Sequence, residues 1–369
     1  LHAWCLLLGV TLWTGLTLNI LMSLVTAACL LGLARTVLGN RVEAAAVTLV
    51  WFLASCTIET SLHARPYDLL ALWSVLLLWI AAKMVIQPGR PGIRQLMLLA
   101  IVAAAGVLTH YQFPLVLVSC LLAALAVMGR SEVGRLLAPG ISAVVGVALS
   151  LPLNPYLLGA IGRQQDSART LDAGQMLPRF FTTLETLAGF FIHESAGKYA
   201  IYLFMVLVAG AFFLAVRRRD TIGGAAEGKD SRGANLVLFF LILMIAAISL
   251  PYILHITPAH AMGPRYLSIV WPFLAFLPVL LVRLRPRASR TLLLGLLSAW
   301  LVLNATVFLG VRAYREAKRP TLDMVGPSRV VLLDNVARGI LPGVVWQLPD
   351  DTIILAADQP YLLEHPGPW

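Results

Sequence analysis

Long apolar segments separated by short polar ones dominate this chain. A helix needs about 20 mostly apolar residues to cross a membrane. Ten segments approach that length, at approximately 15–35, 42–58, 67–83, 94–109, 111–128, 137–155, 199–216, 234–254, 266–282 and 291–311. The pattern therefore predicts an all-α polytopic membrane protein with about ten transmembrane helices.

Two longer polar segments interrupt this pattern, a loop over 155–198 and a tail over 312–369. The tail holds two short apolar runs, 330–333 and 352–355, that are typical of strands. We therefore divide the chain into a transmembrane domain, 1–311, and a small C-terminal segment of mixed structure, 312–369. Because the chain opens with Leu1 inside an apolar run, we expect further residues before it, and the abrupt end at Trp369 is compatible with truncation there too.

Composition favours a lipid environment. Apolar residues make up 59% of the chain and charged residues 12%, with a mean hydropathy of +0.84, whereas soluble domains are about 25% charged. The net charge is +10, but no basic stripe with interleaved aromatic residues is present, so we set nucleic-acid binding aside. The four cysteines are widely spaced in apolar runs, which favours buried residues over a zinc site or a disulfide framework.

Basic residues alternate between the predicted loops. Up to residue 311, sixteen lie in one set of loops and six in the other. Basic loops tend to stay in the cytoplasm. We therefore predict that the second set, the 155–198 loop and the tail face the outside.

Polar clusters recur at the predicted outer ends of the spans. Besides the 155–198 loop, they comprise His63, Arg65, Tyr67 and Asp68 before one span; Thr109, His110, Tyr111 and Gln112 at a hairpin; and His255, His260, Arg265 and Tyr266 before another span. An Arg near a membrane helix is costly unless it faces water or a partner. Each cluster also has a structural interpretation: Arg65 pairs with a nearby carboxylate or reaches the headgroups, the tyrosines are interfacial aromatics, and the histidines are satisfied within the fold.

The residue types in these clusters suit an anionic lipid-linked ligand. Arg matches phosphate with a fork of donors, and Tyr hydrogen-bonds oxyanions or stacks on sugars. Apolar walls beside them suit a hydrocarbon tail. Walker, GxSxG and GxGxxG motifs are absent, so ATP use, a serine nucleophile and a dinucleotide are unsupported. The spacing of His255 and His260 across a Pro is a poor metal match, and we predict no metal ligands.

Three of these elements, in order, resemble the GT-C superfamily of polytopic glycosyltransferases. The nearest similarity is to glycosyltransferase family 39-like enzymes, the bacterial relatives of dolichyl-phosphate-mannose protein mannosyltransferases. The segment 62–69 is similar to a Gln-Glu-Ala-Arg-Pro-Tyr-Ala-Leu element, with His63 in place of the usual Glu. Leu108-Thr109-His110-Tyr111 is similar to a Thr-His-Tyr hairpin, and Gly263-Pro264-Arg265-Tyr266-Leu267, with Pro272 and Pro278, to a Pro-Arg-Tyr-Leu-x-x-x-x-Pro helix start.

The resemblance implies a GT-C-like bundle and a membrane glycosyltransferase. Such an enzyme moves a hexosyl or pentosyl group from a polyprenyl-phosphate donor to an acceptor hydroxyl, with inversion, at the outer face of the bacterial plasma (inner) membrane. The acceptor would be a glycolipid, a glycan or a protein. Donor-binding residues would be His63, Arg65, Tyr67, His110, Tyr111, Arg265 and Tyr266, with the 155–198 loop closing over the acceptor.

The resemblance leaves two features of the chemistry open. It implies an acidic catalytic base in an outer loop that would precede Leu1, so this chain would lack that loop and its catalytic residue is unknown. No cofactor is certain, and a divalent metal ion is compatible with the resemblance because metal dependence varies within the superfamily.

Two other classes of function fit the composition. A transporter or flippase for a lipid-linked or other anionic substrate would also carry outer charges and many spans, but it should show polar or broken-helix features near the bilayer midplane and two related halves. A non-enzymatic membrane scaffold does not account for the repeated Arg and Tyr placement.

Overall fold

The fold is known from a computed structural model. It describes residues 12–61, 67–86, 89–128, 130–153, 173–188, 229–253, 267–283, 330–334 and 353–357, with scattered positions between 190 and 306. Most of these residues are helical. The helices are α1 (Leu12–Leu38), α2 (Arg41–Phe52), α3 (Ser55–Ser61), α4 (Tyr67–Ile86), α5 (Ile93–Thr109), α6 (Phe113–Val127), α7 (Leu137–Ser150), α8 (Ala173–Ala188), α9 (Lys229–Ile253), α10 (Trp271–Leu274) and α11 (Leu277–Arg283), with a 3-10 helix over Arg130–Leu136 before α7.

Among the described residues, four helical segments are long and apolar enough to cross a membrane. They are Thr17–Leu38, Tyr67–Ile86, Val133–Ser150 and Asn235–Ile253. Three shorter apolar segments accompany them, Ile93–Thr109, Phe113–Val127 and Trp271–Leu280. These helices support a helical membrane protein, whereas ten spans stay a prediction. The predicted spans 199–216 and 291–311 are described only at scattered helical positions.

Within the described part of the chain, two predicted spans are interrupted. The segment 42–58 divides into α2 and α3 at Leu53 and Ala54, where no Gly or Pro signals a break. The segment 266–282 divides into α10 and α11, and here prolines account for the interruption. Pro272 and Pro278 lie in the first turns of these two helices, where the missing N–H is tolerated.

Hydrogen bonds and close contacts fix the direction of the helices around α4. The Ser23 and Ser61 hydroxyls are 2.9 Å apart, and Ser61 donates to Asp68 Oδ1 at 3.2 Å, which joins α1 and α3 to the start of α4. Further along, Gly32 of α1 lies against the Trp79 ring of α4. The helices α1 and α4 therefore run in the same direction, and α2 with α3 returns between them.

The bundle accordingly has two ends. We call the end where α4 begins and α5 meets α6 the aromatic end, defined by Tyr67, His110 and Tyr111. We call the end where α4 finishes and α5 and α7 begin the basic end, defined by Lys83, Arg90 and Arg135. Since α4 has 20 residues and a helix rises about 1.5 Å per residue, the two ends are about 30 Å apart.

Small residues allow close packing within this bundle. The helices α5 and α7 have the most extensive contact, and α6 packs against α9. A side chain at Gly146 of α7 would collide with the Ala100 carbonyl of α5, and the Ser142 hydroxyl donates to the Leu96 carbonyl across the same interface. Close approach of small residues is a common means of association between membrane helices.

The chain divides into two compact units, one over Leu16–Val307 and another that includes Phe308–Trp369. In the second unit, β1 (Val330–Asp334) and β2 (Ile353–Ala357) pair in parallel, with Val330 opposite Ile353. Both strands fall on the runs that the sequence predicts to be strands. Parallel pairing requires a crossover connection, which the intervening residues are numerous enough to supply.

Candidate functional site at the aromatic end

Tyr67 and Asp68 open α4 and are both buried, with 8% and 3% of their surfaces exposed. The carboxylate of Asp68 accepts a hydrogen bond from Ser61, which in turn contacts Ser23. The other oxygen, Asp68 Oδ2, has no hydrogen-bond partner among the described residues. An acidic residue also suits the first turn of a helix because the helix dipole is positive there. Asp68 therefore anchors the start of α4 and, with it, the position of Tyr67.

A tight hairpin presents His110 and Tyr111 to this helix start. The helix α5 ends at Thr109, His110 is extended, and α6 begins at Phe113, whose N–H donates to the His110 carbonyl at 3.0 Å. The Phe113 ring fills the space where a side chain on Gly106 would lie. The absence of a side chain at Gly106 therefore lets the two helices close up beneath the hairpin.

The rings of the three described donor-site candidates are neighbours. The Tyr67 and His110 ring centroids are 6.4 Å apart with an interplanar angle of 49°, and His110 stacks on Tyr111 at 4.6 Å and 24°. The backbone N–H of Gln112 donates to His110 Nδ1 at 3.2 Å. Since Nδ1 accepts, the neutral ring carries its proton on Nε2, which is the form that can donate to an anionic oxygen.

A second hydrogen bond joins the two helices that carry these rings. Trp73 Nε1 donates to Thr109 Oγ1 at 3.1 Å. Trp73 lies six residues after the start of α4, and Thr109 is the last residue of α5. Thr109 in turn donates to the Ala105 carbonyl. The separation of Tyr67 and His110 is therefore set by contacts on α4 and α5 and not by the two rings alone.

Gln112 lies at the inner side of the hairpin and is 2% exposed. Neither side-chain amide atom has a hydrogen-bond partner among the described residues. The residue faces a small cleft lined also by Leu115, Val116, Ala247, Pro251, Ile269 and Val270. An unpaired buried amide costs about 1–3 kcal/mol, so this amide is a group that a polar ligand would satisfy.

Four of the predicted site residues, His63, Arg65, Arg265 and Tyr266, lie outside the described residues. Their described neighbours are informative. Tyr67 follows Arg65 by two positions and lies beside His110. The segment 267–270 follows Tyr266 directly, and its last two residues line the cleft with Gln112. Described residues next to all three sequence elements thus meet at one end of the bundle.

Part of the predicted outer loop also packs near this cleft. The Thr183 hydroxyl of α8 hydrogen-bonds the Tyr252 hydroxyl, which also donates to the Arg179 carbonyl at 3.2 Å. The Phe180 ring meets the Tyr252 ring edge-on at 5.5 Å. Since Tyr252 follows the cleft residue Pro251, these contacts hold α8 close to the aromatic end.

The sequence patterns did not reveal the burial of Gln112 or the chain of hydrogen bonds from Ser23 to Asp68. Ser23 is a polar residue inside an apolar run, which is a weak sign of a hydrogen bond between helices, because many such residues bond only to their own helix. Within the described part of the chain, no group of three or more His, Cys, Asp or Glu residues could hold a metal ion.

No protein-family model, curated protein or solved structure matches this chain.

Proposed function

We propose that this protein is a polytopic membrane glycosyltransferase with about ten spans that uses a polyprenyl-phosphate sugar as donor. In this proposal it transfers the sugar, with inversion, to an acceptor hydroxyl at the outer face of a bacterial plasma membrane. One observation supports it best. Described residues in or next to the three sequence elements 62–69, 108–111 and 263–267 lie together at the aromatic end.

The proposed roles follow from chemistry. The guanidinium groups of Arg65 and Arg265 bind the donor phosphate and neutralise the charge that develops on it as the lipid phosphate leaves. His110 donates from Nε2 to a phosphate or sugar oxygen. Tyr67, Tyr111 and Tyr266 position the sugar or the phosphate, and His63 lies beside them in sequence.

The proposed reaction breaks the anomeric carbon–oxygen bond to phosphate and forms a bond from that carbon to the acceptor oxygen. The acceptor proton passes to a general base, which the resemblance makes an acidic residue. Asp68 is not assigned that role, because its carboxylate is buried and hydrogen-bonded within the bundle. The lipid phosphate leaves with the bonding electron pair.

A transporter or flippase for an anionic lipid is the second candidate. The observation in its favour is the pair of interruptions, between α2 and α3 and between α10 and α11, because broken helices recur in transporters. The carboxylate of Asp68 and the amide of Gln112 lie near one end of the bundle and away from its middle, which favours the transferase.

The discriminating experiment uses membranes that contain the complete protein and a polyprenyl-phosphate sugar labelled in the sugar. A transferase releases the lipid phosphate and passes the label to an acceptor in the same membranes. A flippase moves intact donor between leaflets and leaves the labelled bond unbroken. Movement of intact donor without transfer, over a panel of hexosyl and pentosyl donors, would contradict the proposal.

A further inference from the structure

A second concave site lies at the basic end of the bundle. One pocket there is lined by residues from several segments. They are Lys83 and Met84 from the last turn of α4, the loop residues Gly89, Arg90 and Pro91, Gln95 of α5, Met128 after α6, and Arg135 and Leu136 before α7. Its empty space is about 340 Å³ including the open mouth. We call it the basic pocket.

Three cations from three different segments face this pocket, and no described residue that lines it is acidic. In the sequence, 83–95 carries three basic residues and no acid, and 128–136 carries two basic residues and Glu132. An ordinary basic loop of the kind that sets membrane orientation needs only charge. Here the charge is gathered around a concavity.

Specific contacts hold two of these cations in place. Arg135 Nη2 donates to the Met84 carbonyl at 3.0 Å, so the guanidinium lies at the end of α4. Lys83 Nζ lies 5.4 Å from the centroid of the Trp79 ring, within the range of a cation–π contact. Arg90 is exposed at the mouth, after Gly89, whose φ of +111° suits a residue without a side chain.

An apolar surface begins directly beside the pocket. Exposed residues on α5 include Ile93, Met97 and Ile101, and on α7 they include Leu137, Ile141 and Val144. Their spacing of three or four residues places them along one side of each helix, and α5 packs on α7. A cationic pocket beside an apolar face matches an amphiphile that has an anionic head and hydrocarbon tails.

We propose that the basic pocket binds the phosphate headgroup of an anionic phospholipid in the leaflet at that end of the bundle, the predicted cytoplasmic side. Lys83, Arg90 and Arg135 contact the phosphate, and the acyl chains lie along the exposed faces of α5 and α7. Basic pockets between membrane helices recognise such headgroups elsewhere. The site is separate from the proposed sugar-donor site, and its test does not depend on that function.

The test measures lipid binding to the complete protein in neutral detergent by native mass spectrometry. The probes are phosphatidylglycerol, zwitterionic phosphatidylcholine with matched acyl chains, and inorganic phosphate. We expect phosphatidylglycerol to bind in preference to phosphatidylcholine. Arg90→Gln, which leaves the Arg135–Met84 hydrogen bond intact, should weaken phosphatidylglycerol binding about fivefold, and adding Lys83→Gln should weaken it by about as much again.

Arg41→Gln is the matched control, because Arg41 is exposed at the same end of the bundle and does not line the pocket. It removes the same charge and should change binding by less than about twofold. Equal losses from Arg90→Gln and Arg41→Gln, or equal binding of the two lipids, would overturn the proposal. Occupancy of the pocket by inorganic phosphate that displaces the lipid would overturn the lipid assignment in favour of a soluble anion.

Discussion

The two ends of the helical bundle use polar residues in different ways. At the aromatic end, Tyr67 and Asp68 are buried and their neighbours are fixed by hydrogen bonds and ring stacking. At the basic end, Arg90 is exposed and Lys83 and Arg135 are half-buried around an open pocket. Burial and fixed geometry suit a site that recognises shape and performs chemistry, whereas an open cationic pocket suits binding of a headgroup.

The difference follows from the local sequences. The hairpin from Thr109 to Phe113 is short, and Gly106 allows Phe113 to close beneath it, so its polar residues are drawn into the bundle. The loop that follows α4 contains Gly89 and Pro91 and carries charges that are costly to bury. Its cations therefore stay near water.

The largest expected effect comes from Arg65→Ala in the complete protein. In the proposed function Arg65 stabilises the departing phosphate, so its loss should reduce sugar transfer by about 100-fold or more, without loss of expression or membrane insertion. The measurement is the rate of label transfer from a polyprenyl-phosphate sugar, normalised to protein in the membrane.

Arg41→Ala is the control for that variant, since it removes the same side chain at the basic end. It should leave the transfer rate unchanged within about twofold. Full activity in Arg65→Ala would remove Arg65 from the site, and equal losses in both variants would indicate a general effect of charge on insertion.

A smaller effect should follow from tightening the hairpin. In Gly106→Ala, the added methyl group collides with the Phe113 ring, and overpacking of this kind costs about 1–3 kcal/mol in the free energy of unfolding. The measurement is the thermal midpoint of the protein in detergent. The effect should reach the aromatic end, because the same hairpin carries His110.

Gly140→Ala offers a matched comparison near the basic end, because a side chain at Gly140 of α7 meets no atom of the described residues within 4 Å. This substitution should be neutral or stabilise the helix by up to about 1 kcal/mol. If the two glycine variants lowered the thermal midpoint equally, the close packing described beneath the hairpin would be wrong.

The smallest expected effect concerns the hydrogen bonds that anchor α4. Ser61→Ala removes the donor to Asp68 and the partner of Ser23, and should cost about 1 kcal/mol of stability. Thr36→Ala removes an exposed hydroxyl that donates to the Gly32 carbonyl of its own helix, α1, and should change stability by less than about 0.5 kcal/mol. Equal midpoints for both variants would show that the bond to Asp68 contributes nothing measurable.

The sequence was sufficient for helix placement where apolar runs are long and uninterrupted. The run 67–83 corresponds to α4 and 94–109 to α5 within a few residues, because the loop 87–92, with its Gly and Pro residues and Arg90, separates the two runs. The break at Leu53 and Ala54 had no such signal, since both residues are compatible with a helix. The pattern of apolar residues alone does not record that break.

For the candidate site too, the sequence predicts part of the arrangement and leaves part of it open. Topology alone suggested that Tyr67 and His110 lie at the same end, because their segments have opposite directions, and their rings are neighbours in the structure. The stacking of His110 on Tyr111 and the burial of the Gln112 amide depend on the exact turn of the hairpin. The Gln112 cleft is lined by residues of both α6 and α9, a long-range contact that no local pattern specifies.

The most direct test of the central claim is a cross-linking measurement between His110→Cys and Arg265→Cys, with the native cysteines replaced. Residues 269–270 share the cleft with Gln112, so we predict that a short bifunctional thiol reagent joins these two positions efficiently. The pair Arg41→Cys and Arg265→Cys should give no cross-link, because Arg41 lies at the basic end. Failure of the first pair, or equal cross-linking of both pairs, would contradict a shared site at the aromatic end.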